Sequence, residues 1–317
     1  MLKQVGKSAA WGALYVSAST FGTTVAMIFI ILNNLAMFNV ESDVFMDVWM
    51  EKILQAFVPG SFIAGLICIA AYWIYYRCVR KYPSELKRVE LSKALFMLSI
   101  GLAFNLIVSY ALEFIWSFLP EALTSQTSES TDFLVDSNYH WLFKLLAVGI
   151  IAPIAEEIVF RHGFCRTLAK GNVSMGIILS SFVFGAAHGN LIQGIYTFIM
   201  GLICAIVIQN TDNIWYPIMI HVGLNSSTVI ASCVPEAFND ITLIGLGFIG
   251  VLVVATQLIH NEGMRAMLKK PNMVAPLQVM TPMERLQEKT MVENPGSYDN
   301  AEIPGEIVEA IDSPIQT

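Results

Sequence analysis

Charge is the component that this sequence has least of. Only 14% of its 317 residues are charged, whereas soluble domains carry about a quarter. Hydrophobic residues make up 55% of the chain, and its mean hydropathy is +0.61. Apolar runs of about 18 or more residues recur along it, which is the mark of membrane-spanning helices. These features argue against a soluble globular protein and predict an all-α polytopic membrane protein.

Several common motifs are also missing. The five cysteines contain no CxxC pair, and their odd number and wide scatter argue against a zinc ribbon or a disulfide framework. No GxGxxG, P-loop or HExxH motif occurs, so nothing indicates nucleotide binding or a zincin-type metal site. No basic cluster with interleaved aromatic residues is present, so nucleic acid is not an expected partner.

The apolar runs divide the chain into about eight expected membrane spans. The first follows a short basic start without a convincing small-residue cleavage site, so we expect it to remain as an uncleaved span. With eight spans, the basic segments all fall on one side, which predicts a multi-pass cell-membrane protein with both termini in the cytoplasm. The expected spans lie near residues 12–37, 56–76, 94–118, 142–168, 173–189, 191–209, 214–232 and 241–260.

A few polar residues lie inside the expected spans, where each ionisable group costs about 2.5–3.5 kcal/mol. Glu157 and Arg161 are four residues apart, with the glutamate first, which favours an ion pair on one helix face. Glu156 is rotated by about 100° from Glu157 and can face elsewhere. His221 and Asn225 are again four apart and can face one cavity.

Hairpin counting indicates that these residues meet His188. Glu156 lies about 15 residues before the turn between spans four and five, and His188 about 16 after it, so both are roughly 23 Å along their helices. Each residue alone has an ordinary explanation: paired glutamates mark solvated helix ends, a lone histidine is often structural, and an asparagine such as Asn225 often joins helices. The joint pattern favours one buried site built from three helices.

Two mechanisms fit a carboxylate beside two imidazoles. In one, Glu156 is a general base that takes a proton from water, His188 positions the water, and His221 with Asn225 stabilises the oxyanion. In the other, Glu156, His188 and His221 bind a divalent metal such as zinc, with an open position for water, and Glu157 supports them or acts as the base. Either mechanism suits hydrolysis of an amide inside the membrane.

Three sequence motifs resemble those of the CPBP family, the CAAX proteases and bacteriocin-processing enzymes also called Abi. The stretch EEIVFR (156–161) resembles the EExxxR motif of the family, FGAAH (184–188) its FxxxH motif, and HVGLN (221–225) its HxxxN/D motif. The three occur in the order of the family, and each lies in an apolar segment. His162 departs from the pattern, because a glycine commonly follows the arginine in this family.

The resemblance implies an intramembrane endopeptidase in which Glu156 is the catalytic glutamate. Glu157 and Arg161 would support it, and His188, His221 and Asn225 would complete the site. The expected partners are membrane lipid and a peptide or protein substrate, cleaved in a C-terminal or precursor segment. A non-catalytic bacteriocin-immunity protein and a proton-coupled transporter remain alternatives.

The chain is accordingly divided into four expected regions. Residues 1–141 hold the first three spans and their loops, 142–230 the catalytic core, and 231–260 the last span. Residues 261–317 form a polar, proline-containing tail that is expected to be disordered and cytoplasmic.

Overall fold

The computed structural model describes residues 2–34, 42–75, 78, 88–118, 139–189, 191–269 and 271. Every regular element in these residues is a helix, which confirms the all-α prediction. The described helices, numbered in chain order, are α1 (Leu2–Asn33), α2 (Ser42–Ile74), α3 (Leu91–Trp116), α4 (141–169), α5 (Val173–Ala186), α6 (Leu191–Thr211), α7 (Trp215–Cys233), α8 (Glu236–His260) and α9 (Glu262–Leu268).

Helices α1 to α8 occur in the order of the eight expected spans, but not all of them look like membrane spans. Within the described residues, α1, α2, α3, α6 and α8 are long and apolar enough to cross a membrane. The remaining three fall short: α5 has 14 residues and is about 21 Å long, while α4 and α7 carry charged and polar groups. The multi-pass membrane prediction is confirmed by five described helices that meet the length and composition of a span, and the count of eight stays a prediction.

α4 and α7 carry five of the six expected site residues, which explains their polar groups. Polar residues inside a membrane protein usually face the bundle interior and not lipid. α4 packs against α1, α2, α5, α6 and α7, so neighbouring helices surround much of its length. α3 packs mainly against α7 and α8, and thereby supports α7. A helix enclosed in this way does not need an apolar surface all round.

α3 and α7 cross in direct backbone contact beside the expected site. A Cβ added at Gly101 would come 2.0 Å from the carbonyl oxygen of Ile220, and one at Gly223 would come 2.3 Å from that of Leu98. Small residues let membrane helices approach closely enough for their backbones to touch. Because Gly223 lies two residues after His221, this crossing fixes the height of His221 in the bundle.

Gly101→Ala is expected to lower the free energy of unfolding by about 1–3 kcal/mol, because the new methyl group meets backbone that cannot move aside locally. The matched control is Gly245→Ala on α8, where an added Cβ meets nothing within 4 Å. Thermal unfolding is measured with a thiol dye, which reacts with the buried cysteines once they become exposed. These are Cys68, Cys165 and Cys204. Equal midpoints for the two variants would contradict this account of the crossing.

The first part of the expected tail is ordered as α9. Its N-terminus is capped by Asn261, whose side chain accepts from the backbone N–H of Met264. Asn210, at the end of α6, donates to the carbonyl oxygens of Met267 (3.0 Å) and Lys269 (2.7 Å). These bonds fasten α9 to the bundle. The predicted tail from residue 272 onward lies outside the described residues, and the side on which the termini lie stays a prediction.

Candidate active site

Helix α4 is irregular on both sides of its two glutamates. Its turns are wide, of the π type, over Leu145–Ile151 and again over Ile158–Cys165, and regular only over Ala152–Glu157 between them. Wide turns of this kind are rare and occur frequently at functional sites. Pro153 is the second residue of the regular segment and has no backbone N–H to donate. The glutamate pair therefore ends a short regular segment that begins next to this proline.

Asn225 and Ser226 on α7 bond to the carbonyl groups that Pro153 leaves without a donor. Residue 153 would donate to Val148 in a wide turn or to Gly149 in a regular one. Instead, Asn225 Nδ2 donates to the oxygen of Val148 at 3.0 Å, and Ser226 Oγ donates to that of Gly149 at 3.2 Å. Where a proline removes a backbone hydrogen bond from a membrane helix, side chains of neighbouring helices often donate to the freed carbonyl group instead. One N–H of Asn225 thus joins helices, and its predicted catalytic role stays a prediction.

Glu157 and Arg161 form the expected ion pair, and it is completely buried. Arg161 Nε lies 3.0 Å from Glu157 Oε2, and both side chains have 0% exposure. The contact falls outside hydrogen-bond angles, so it is an ion pair by distance only. The guanidinium also lies over the ring of Phe184, with Cζ 4.7 Å from the ring centre. The pair therefore belongs to the interior of the bundle and not to a solvated helix end.

His221 lies between the two glutamates. Its Nδ1 is 3.0 Å from Glu157 Oε1, and its Nε2 is 3.6 Å from Glu156 Oε2. An ionised carboxylate only accepts hydrogen bonds, so Nδ1 must carry the proton in the contact with Glu157. Nε2 is then the nitrogen left for other partners. The sequence predicted that His221 would reach the glutamates but gave no sign that it would contact both.

Glu156 is the more accessible glutamate and has a partner that the sequence analysis missed. Its side chain is 13% exposed, against 0% for Glu157. Tyr15 on α1 donates its hydroxyl proton to Glu156 Oε1 at 2.9 Å. A tyrosine in an apolar helix needs a partner for its hydroxyl group, and that requirement was the one available signal. The two glutamates thus have different surroundings, one open and one enclosed.

His188 lies beyond the end of α5 and not inside it as the expected span 173–189 implied. α5 ends at Ala186, and the chain then turns through Gly189, whose φ is +69°. His188 Nδ1 bonds to the carbonyl oxygen of Phe184 at 2.9 Å, which leaves Nε2 available. Its ring packs edge-on against Phe184, which also contacts the ring of His221. Phe184 thus contacts both imidazoles, and the approach of His188 to Glu156 stays a prediction.

His162, the departure from the family pattern, binds groups outside this cluster. Its Nδ1 lies 2.7 Å from the hydroxyl group of Tyr72 on α2, and its Nε2 lies 3.3 Å from Arg166 Nη1. Arg166 in turn pairs with Asp212, between α6 and α7. Gly163, the next residue, lies against the ring of Trp11, where a Cβ would come within 2.6 Å. His162 therefore links α4 to α2 and leaves the three motifs intact.

The predicted metal set was tested against the arrangement of its donors. Among the described residues, no group of three His, Cys, Asp or Glu side chains is arranged to hold a metal ion. Both nitrogens of His221 face carboxylates, and His188 Nδ1 faces its own backbone. In this arrangement, Glu156, His188 and His221 do not fit a metal ion.

Comparison with known proteins gives one family match and one curated relative. Residues 138–227 match the family described as "Rce1-like: Type II CAAX prenyl endopeptidase Rce1-like". Over this segment, the chain is similar to the CPBP, or CAAX protease, family. The matched segment contains all six predicted site residues, and it confirms the family that the three motifs indicated.

A protein of Bacillus subtilis, strain 168, with the name "Putative membrane peptidase YdiL", is 31% identical over 109 residues. The alignment covers 34% of this chain but 45% of that relative, so the chain spans less than half of its length. No solved structure matches the chain. The CAAX protease match is confined to the core, and α1 and α2 lie outside it.

Proposed function

We propose that this protein is an intramembrane endopeptidase that hydrolyses a peptide bond with a water molecule activated by Glu156. One observation carries the proposal most directly: the accessible Glu156 faces Nε2 of His221, whose other nitrogen is held by the buried Glu157. A carboxylate beside an imidazole fixed by a second carboxylate suits general acid–base chemistry. The family match supports a peptidase and does not assign these roles.

In the proposed reaction, Glu156 removes a proton from water as the water oxygen attacks the carbonyl carbon of the substrate. The electron pair of the carbonyl moves to its oxygen. His221 or His188 donates from Nε2 to the resulting oxyanion in the form in which both ring nitrogens carry a proton. When the C–N bond breaks, the proton held by Glu156 passes to the leaving amine. Glu157 and Arg161 do not touch the substrate in this scheme. They hold His221 in position from the buried side.

The substrate is proposed to be a peptide or a protein segment at the membrane, cleaved near a C-terminus or within a precursor. The name of the matched family points to prenylated C-terminal sequences, and an unmodified peptide is the other substrate type to test. The exposed apolar faces of the bundle support a location in the lipid bilayer, where such a substrate would be anchored. Both termini are proposed to be cytoplasmic.

The full-length protein in lipid vesicles provides the test, with two quenched fluorescent peptides as probes. Both end in cysteine, two aliphatic residues and a final residue, and one carries a farnesyl group on the cysteine. The same vesicles are also incubated with bacterial membrane proteins in water enriched in ¹⁸O. We expect cleavage of a probe, or new protein C-termini with ¹⁸O in their carboxylates. A Glu156→Gln preparation controls for copurified proteases.

The outcomes separate the candidate classes. Peptide binding without any labelled C-terminus would contradict the endopeptidase and favour the non-catalytic immunity protein. Proton uptake coupled to solute transport, again without cleavage, would favour the transporter. Metal analysis of the cleaving sample, with and without a chelator, addresses the cofactor. We expect cleavage to persist in a metal-free sample. If chelation stops cleavage and added zinc restores it, the glutamate-base mechanism is contradicted.

A further inference from the structure

Tyr15 brings α1 into the site, although α1 lies outside the segment that matches the family. Its hydroxyl group is 2.9 Å from Glu156 Oε1, across 141 residues of sequence. Hydrogen bonds to an ionised carboxylate are about twice as strong as neutral ones. A contact of this kind fixes both the position and the rotation of the carboxylate that it binds.

The ring of Tyr15 is held by the same aromatic side chains that hold the histidines. It packs edge-on against Phe160, with 5.1 Å between ring centres, and Phe160 packs in the same way against Phe184 at 5.1 Å. Phe184 contacts His221 at 5.7 Å and His188 at 5.0 Å. Phe160 and Phe184 are both buried. The hydroxyl group of Tyr15 is therefore fixed relative to both imidazoles through two buried rings.

α1 is also kept at the correct distance from α4. Trp11, one turn before Tyr15, lies over Gly163, where a Cβ would come 2.6 Å from the indole ring. The indole ring further packs against Tyr72 and Tyr75 of α2. A larger residue at 163 would push α1 outward and draw Tyr15 away from Glu156. The contact is thus supported by packing on both sides of the tyrosine.

The two oxygens of Glu156 consequently have different surroundings. Oε1 accepts the hydrogen bond of Tyr15, while Oε2 faces His221 Nε2 at 3.6 Å. We infer that Tyr15 is a positioning residue that occupies Oε1 and leaves Oε2 as the oxygen that takes the proton of the attacking water. This inference rests on the proposed function. The water O–H bond breaks, an O–H bond forms at Oε2, and that proton later passes to the leaving amine, while Tyr15 keeps its own proton.

The test is Tyr15→Phe, which removes the hydroxyl group and keeps the ring on Phe160. In the full-length protein, we expect kcat for the cleaved probe peptide to fall about 10- to 100-fold, the usual effect of losing a hydrogen bond to a charged group. KM should stay unchanged, because Tyr15 does not touch the substrate. The matched control is Tyr110→Phe, at an exposed position on α3, which should behave like the original chain.

Infrared difference spectra supply a readout that needs no substrate. The carboxylate band of Glu156 is identified by its loss in Glu156→Gln. The frequency of this band should shift in Tyr15→Phe and should be unchanged in Tyr110→Phe. A band that does not move, or a folded Tyr15→Phe variant with an unchanged kcat, would overturn the inference. So would a raised KM with an unchanged kcat, which would indicate substrate binding.

The results also distinguish this inference from the proposed function. If Glu156→Gln cleaves the probe at the original rate, the proposed function fails, and the role of Tyr15 fails with it. If Glu156→Gln is inactive and Tyr15→Phe is fully active, only the role of Tyr15 fails. If the original chain cleaves neither probe peptide, the infrared band alone decides whether Tyr15 holds Glu156.

Discussion

Glu156→Gln is expected to stop peptide cleavage while the protein stays folded. The amide has almost the same shape as the carboxylate, and its oxygen can still accept the hydrogen bond of Tyr15. The amide cannot take a proton from water, so the general base is lost. Proton transfer by such a group contributes about 10²- to 10⁴-fold to the rate, and we expect kcat to fall by that factor. The rate of probe-peptide cleavage in lipid vesicles measures it.

The matched control for this variant is Glu113→Gln, which makes the same change at an exposed position near the end of α3. It should cleave the probe at the original rate. The thiol-dye unfolding midpoint of Glu156→Gln should also stay close to that of the original chain. Full activity in a folded Glu156→Gln protein would remove Glu156 from the mechanism. Loss of activity together with loss of the fold would instead assign Glu156 a structural role.

The sequence supports two kinds of prediction about the site: which residues share one helix face, and which lie at the same level of a helical hairpin. The pairing of Glu157 with Arg161 follows from their spacing on a helix and holds even though α4 widens after Glu157. The meeting of Glu156 with His221 required the fold and was anticipated by the three family motifs. The all-α membrane class follows from composition, since long apolar runs leave few other folds available.

The missed features all depend on contacts between helices that are distant in sequence. Tyr15 and Glu156 are 141 residues apart, and no periodicity of the sequence links them. Any polar group at the same depth in the bundle could have been the partner of the Tyr15 hydroxyl group. Another missed contact joins α7 to the first wide segment of α4, where Asn225 and Ser226 donate to the carbonyl oxygens of Val148 and Gly149. The count of eight spans stays a prediction for α4, α5 and α7, because length and hydropathy cannot show how enclosed helices lie in a membrane.

Arg161→Met is expected to cost about 3–5 kcal/mol of unfolding free energy. The side chain is 0% exposed and lies 3.0 Å from the equally buried Glu157. Removing one charge of a buried pair leaves the other without compensation, in surroundings that water does not reach. Among the described residues, His221 would then be the polar partner left to Glu157, so the orientation of His221 should change as well. Reversible unfolding in mixed detergent micelles measures the loss.

The control for Arg161→Met is Lys93→Met, which breaks a comparable ion pair with Glu90 near the start of α3, where both side chains are partly exposed. Surface pairs contribute about 0–1 kcal/mol, so this variant should unfold almost like the original chain. Adding Glu157→Gln to Arg161→Met removes both buried charges and keeps an oxygen for His221. The double variant should therefore be more stable than Arg161→Met alone. If it is less stable by the sum of the two single losses, the charges do not act as a pair, and the ring of Phe184 is the main partner of Arg161.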